Sequence, residues 1–160
     1  MDISTGHDGT PANGSGNIAI GHKSMTAYSN DGVLRNTAVG FLTMMTGADH
    51  AATDNVALGY QALKANTTGD KNVCLGSNAG LALSTSGSNI VIGYQAMVSA
   101  TTGNTGNVMI GNEAGVNLLD DATYNIAIGA NAFIAGNADN VGNIAIGYSA
   151  IDATSTNATT

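Results

Sequence analysis

The chain has 160 residues and a formal net charge of −7, with four Lys and Arg against eleven Asp and Glu, so no basic patch exists to neutralise phosphates or anionic headgroups. Nucleic acid and membrane insertion are therefore excluded as expected partners. Gly fills 22 positions, Trp is absent, and Leu, Ile, Val and Phe make up one fifth of the chain, which excludes a conventional core of large side chains. Charged residues are only 9%, too few for the self-repulsion of a disordered chain, so the sequence must bury small residues efficiently.

Residues 1–16 read as a lead-in or partial coil. Their first ten, MDISTGHDGT, lack a basic region followed by an apolar one, so no secretory signal is expected as written. Nothing here resembles a charged or helical cap.

From Asn17 a five-residue phrase recurs: NIAIG at Asn17, NTAVG at Asn36, NVALG at Asn55, NVCLG at Asn72, NIVIG at Asn89, NVMIG at Asn107, and NIAIG again at Asn125 and Asn143. Successive intervals are 19, 19, 17, 17, 18, 18 and 18 residues. Periods this regular predict a stacked array. The β-branched residues alternate between a leading Asn and a closing Gly, which predicts a short strand. An interval of this length holds two short strands and two turns, one coil of a β-solenoid. The looser second halves, such as LKANTTG from Leu63 and MVSATTG from Met97, predict an outer strand or extended segment ending in a turn. The fold class expected is all-β: a parallel β-solenoid of about eight coils of 17–19 residues over 17–151, with 152–160 a tail or inter-subunit contact. At about 4.8 Å per coil the rod would be about 40 Å long.

Within the phrase, positions two and four share a face, for example Val56 with Leu58 and Ile126 with Ile128, and these larger residues are expected to fill the coil interior. The middle position points the other way and is never polar: Ala19, Ala38, Ala57, Cys74, Val91, Met109, Ala127 and Ala145. A strand apolar on both faces must be covered on both, so this second face is expected to be a subunit interface. The Asn row, Asn17, Asn36, Asn55, Asn72, Asn89, Asn107, Asn125 and Asn143, is expected to stack in register, amide on amide, as a structural ladder. The Gly row, Gly21, Gly40, Gly59, Gly76, Gly93, Gly111, Gly129 and Gly147, is expected to form a tight corner, with a small residue three places on in every coil. GYQAL and GYQAM at Gly59 and Gly93 alternate with GSNAG and GNEAG at Gly76 and Gly111, as in a duplicated two-coil unit.

At these residues the sequence resembles the head repeats of trimeric autotransporter adhesins, which carry an NSVAIG-like motif. The stretch Asn55 to Gly80 looks still more like the repeat arrays of bacteriophage tail fibres and related virion appendages. The resemblance spans about Asn17 to Ile151 and implies a left-handed β-roll that forms a homotrimer on a virion appendage or cell surface. By the same resemblance, Ile and Val at positions two and four imply the roll interior, and Ala at position three the subunit contact.

Candidate chemistry is sparse. His7, His22 and His50 sit at unrelated repeat positions without a paired Cys or HExxH, so no metal or cofactor is expected. Asp120 beside Asp121, and Asp49 before His50, read as solvated turns; Glu113 is the only Glu, and Ser77 has no evident base. Asn13, Asn66 and Asn157 match the glycosylation sequon, a frequent coincidence in an Asn- and Thr-rich chain. No enzyme activity is expected. Cys74 reads as a small apolar core residue. The functional expectation is a structural fibre module for host or cell attachment, with Tyr60, Tyr94 and Tyr148 as candidate contacts to a surface glycan or protein. The alternative is a filament subunit that stacks coil on coil, end to end. A flat Thr array for ice binding is weaker, because only Thr67, Thr68, Thr101 and Thr102 recur.

Overall fold

In the computed structural model the described residues are 3–4, 16–26, 32–45, 51–134 and 140–151. Each phrase forms one three-residue strand: β2 (Ile18–Ile20), β3 (Thr37–Val39), β4 (Val56–Leu58), β5 (Val73–Leu75), β6 (Ile90–Ile92), β7 (Val108–Ile110), β8 (Ile126–Ile128) and β9 (Ile144–Ile146). These eight pair in parallel, each with the next in sequence, and in strict register: Ala38 lies beside Ala57, which lies beside Cys74. The fold is an all-β parallel solenoid, with no helix among the described residues. A further strand, β1 (Ile3–Ser4), runs antiparallel along the outer edge of β2, Ile3 opposite Ile20 and Ser4 opposite Ala19. The lead-in thus contributes a strand where no cap was expected. Residues 152–160 lie outside the described residues.

The expected second strand is reduced to single bridges two residues before the Asn: Leu34 with Thr53, Gly87 with Thr105, Thr105 with Thr123, and Thr123 with Val141. Turns occupy most of the rest, and their backbone explains why. In every coil the residues two and four places after the corner Gly adopt positive φ, as Gln61 (54°) and Leu63 (51°) do, and so does the residue before each Asn, as in Lys71 (60°). For L-residues this region costs roughly 1 kcal/mol each. The cost is offset by hydrogen bonds between coils, because each reversal turns an amide along the rod axis. Gln61 donates back to the Phe41 carbonyl at 3.0 Å, Leu63 forward to Ala79 at 2.9 Å, and Lys71 back to Thr53 at 3.0 Å. Amides pointing alternately up and down reproduce the bonding logic of a parallel ladder without extended geometry.

The corner Gly is required by space as well as by its φ of 137° at Gly59, where an added Cβ would stand 2.5 Å from the Gly76 carbonyl oxygen. After it the chain folds back over its own strand. The small residue three places on is buried in most coils, as at Ala62, Ala79, Ala96, Ala114 and Ala132, and the fourth place brings in the bulk: Met44, Leu63, Met97 and Phe133.

The interior is therefore lined by the middle strand position, which corrects the expected assignment of faces. Ala19, Ala38, Ala57, Cys74, Val91, Met109, Ala127 and Ala145 are all buried within their own chain and form no surface for a partner. Positions two and four, expected inside, are half-buried or exposed in all eight strands. The physical reason is the narrow coil. The inner side of the strand shares its space with the side chain four places beyond the Gly, and the two trade volume in most coils, Val91 with Met97 being the coil in which both are sizeable and buried. Where the middle residue is small, as at Ala57 and Ala127, the fourth place is Leu63 or Phe133. Where it is larger, as at Cys74 and Met109, the fourth place is Gly80 or Gly115, and Leu83 or Leu118 completes the layer. A Cβ on Gly80 would meet Cys74 Sγ at 2.8 Å and Leu83 Cδ1 at 2.9 Å. The alternation of GYQAL with GSNAG is this exchange of volume between two positions.

Candidate interaction surface

With the middle position turned inward, the strands present to solvent two files of side chains, positions two and four, running the length of the sheet. Fifteen of the sixteen are Ile, Val or Leu, the exception being Thr37. Those most open include Ile18, Val56, Leu58, Ile90 and Ile128, and at the last strand Ile144 and Ile146 reach 65% and 66% exposure. From strand dimensions the ribbon measures about 10 Å by 35–40 Å. A continuous apolar patch of this size marks an interaction site more often than not, and all-parallel sheets are ordinarily covered on both faces.

The ribbon is bordered on each side. The residue after the corner Gly forms an exposed column that includes Tyr60 and Tyr94, both about half exposed, and Tyr148 at 79%. The three Tyr singled out from sequence thus fall on one edge. The same column holds two residues that sequence reasoning missed, His22 and Phe41. His22 stacks on Phe41 with centroids 5.4 Å apart, and Phe41 stacks on Tyr60 at 5.8 Å with planes 6° apart. The available signal was position, since both stand immediately after a corner Gly. On the opposite border, in the residue before each Asn, Arg35 makes a two-pronged contact with Asp54, Nε to Oδ1 at 2.6 Å and Nη2 to Oδ2 at 2.9 Å. This hydrogen bond and charge pair lower the Asp54 pKa and raise that of Arg35, while solvent exposure keeps the pair's contribution to stability small.

Inside the border runs the Asn ladder, and its geometry is structural. Asn72 Oδ1 accepts from the Asn89 backbone N–H at 3.1 Å and from Asn89 Nδ2 at 3.0 Å. Asn72 Nδ2 donates to Asn55 Oδ1 at 3.1 Å and to the Ser86 carbonyl at 2.8 Å. Both donors and both lone pairs are thereby used, and the pattern repeats from Asn36 to Asn125, each fully buried. The side-chain amide replaces a backbone bond that the turn cannot make.

Of the remaining candidates, His22 belongs to the stacked column, whereas His7, Asp49, His50, Asn13 and Asn157 lie outside the described residues. Among the described residues no group of His, Cys, Asp or Glu converges on a possible metal position, and no helix is long and apolar enough to cross a membrane. Asn66 is buried and caps its own turn, donating from Nδ2 to the Gly69 carbonyl at 2.9 Å and accepting from the Gly69 N–H at 2.8 Å. Burial pushes the Cys74 thiol up to about 12, so it stays a neutral core group. Asp120 is more than a solvated turn residue. It accepts from the Thr101 hydroxyl at 2.6 Å and from the Thr102 and Thr101 N–H groups at 2.9 Å each, which holds its pKa down at about 2 and ties one coil's turn to the previous one. Asp121 takes no part in that staple; its N–H donates to the Thr102 carbonyl at 3.1 Å. Glu113 and Ser77 are placed by the repeat: the Glu113 N–H donates to Tyr94 O at 2.8 Å, and Ser77 O accepts from the Gln95 N–H at 3.0 Å.

Comparison of the chain with protein-family models, with curated proteins and with solved structures finds no match in any of the three.

Proposed function

We propose that this chain is a non-enzymatic structural rod, a fibre or adhesin-like module on a virion appendage or cell surface, whose aliphatic ribbon packs against copies of itself. The observation that carries the reading is the double file from Ile18 to Ile146, aliphatic at every place but Thr37, left open on a sheet whose other side is already filled. Water contact with so many branched side chains is unfavourable, and a second copy offers the same flat, uncharged complement. The ribbon takes over the role that the sequence assigned to the middle position. A left-handed coil and a threefold assembly follow from the resemblance to adhesin and tail-fibre repeats. The aromatic column then lies beside the shared face and remains available to a host glycan or protein through Tyr60, Tyr94 and Tyr148.

The test is the paired substitution Ile92→Lys with Ile110→Lys, two adjacent outer positions. Sedimentation equilibrium should give three chains for the parent protein and one for the variant, with β-sheet circular dichroism unchanged. A parent protein that remains monomeric at every concentration, or a variant of undiminished mass, would sink the reading. For the aromatic column, replacing the three Tyr by Ala should abolish cell binding while assembly persists.

A further inference from the structure

The first and the last described coils differ at their outer edges, and the difference points to a second mode of association, along the axis, which does not depend on lateral packing. At each corner Gly from Gly21 to Gly129, an added Cβ would collide with the carbonyl of the following coil's Gly; at Gly147 it meets nothing within 4 Å among the described residues. Among the described residues no strand pairs with the outer edge of β9, whereas the outer edge of β2 is occupied by β1. The sequences at these two edges are the same. Asn17–Gly21 and Asn143–Gly147 both read NIAIG, and so does Asn125–Gly129. The chain therefore already contains the contact that two copies would make end to end: β8 on β9, with Ile126 beside Ile144, Ala127 beside Ala145 and Ile128 beside Ile146.

We infer that the β9 edge of one copy is a docking site for the β2 edge of a second copy, and that β1 is a removable cap which blocks this joint. The bonds are specified by the internal template. Asn143 donates its backbone N–H and Nδ2 to Asn125 Oδ1 at 3.0 Å each, the Ile126 N–H donates to the Asn143 carbonyl at 2.8 Å, and the Gly147 N–H donates to the Ile128 carbonyl at 2.8 Å. In the joint, Asn17 of the incoming copy takes the place of Asn143 and Asn143 that of Asn125. The Ile144 N–H donates to the Asn17 carbonyl, and the Gly21 N–H donates to the Ile146 carbonyl. Parallel register and an open ribbon continue across the joint, and the partner is a second copy of this chain because the two edges are self-complementary in sequence. Among the described residues the cap is two residues paired antiparallel, against a three-residue parallel strand with its Asn and turn bonds. Displacing it exposes a full coil edge, a ready template for another chain.

The experiment uses the full-length protein with Ile3→Pro and Ser4→Pro together, which removes both amide donors of β1 and touches no coil. Electron microscopy and light scattering read particle length, while mass per unit length reports lateral packing separately. The capped parent should give rods of one fixed length, the double variant threads at least tenfold longer with the same mass per length, and addition of Ile144→Pro, which deletes the outward N–H of β9, should restore short rods. Should the double variant lose its β-sheet circular dichroism, Ile3→Gly replaces it and the same outcomes decide. Uncapped particles no longer than the parent, threads formed equally by the parent, or threads that survive Ile144→Pro each overturn the inference.

Discussion

The two sides of the strand ribbon invert the usual relation between size and burial. Facing inward are mostly alanines, all buried; facing outward, Thr37 apart, are isoleucines, valines and leucines, half-buried or exposed. Ala127 and Ile128 are neighbours in one strand, the first completely enclosed and the second 38% exposed. What decides the side is the path of the chain after the Gly, which lays the side chain four places on against the strand. A large residue on the inner side would compete with Phe133 for the same volume. Small residues thus line the inner side of the strand, the bulk of the core comes from the turn, and the strand's large residues are turned outward.

The contrast is broken most forcefully at its inner member. Ala127→Asp puts a carboxylate into the buried apolar core that also holds Ala132 and Phe133, and urea unfolding should show a loss of about 4 kcal/mol in the single chain, whether or not copies assemble. Next comes Asn89→Ala, which removes four ladder bonds and leaves Asn72 Oδ1 and the Asn107 N–H without this partner; a loss of about 3 kcal/mol is expected, read the same way. Smaller is the acid sensitivity of Asp120. Its pKa is depressed from the ordinary 3.8 to about 2, so its stabilisation is complete above the unfolded value and is lost as pH falls from about 4 to about 2. Discounted for solvent screening, this amounts to about 1 kcal/mol, and Asp120→Asn should flatten that segment of the stability–pH curve. The smallest effect belongs to the outer member: Ile128→Asp should change the unfolding free energy of an isolated chain by less than about 0.5 kcal/mol. Equal losses at Ala127 and Ile128 would erase the distinction between the two faces.

Much of the architecture could be read from the chain. The Asn and Gly columns gave the coil boundaries and the parallel register, because both residue types carry a specific backbone consequence: Asn can stand in for a peptide group, and Gly tolerates a corner that no Cβ survives. The facing of the strand could not be read, because alternation alone labels two sides without saying which is dry. The answer lay eight residues after each Asn, in the complementary sizes of Ala57 with Leu63 and Cys74 with Gly80. The turns were also opaque. Lys23, Met25, Leu42 and Met44 carry no sequence mark of positive φ, and only stacking on equivalent residues makes that conformation tolerable. Likewise Tyr60 and Tyr94 were visible as repeated aromatics, whereas Phe41 and His22 became part of the same column only once the coils were superposed.

From the coil of Asn36 onward the frame from two residues before the Asn to four after the Gly has the same length, and the stretch joining one frame to the next changes as the interval moves among 17, 18 and 19 residues. Length variation is thereby quarantined in the connectors. A gene encoding such a chain can shift the interval by a residue or two at a connector while the strands and the Asn ladder keep their register. The molecule behaves as a ruler graduated in steps of about 4.8 Å.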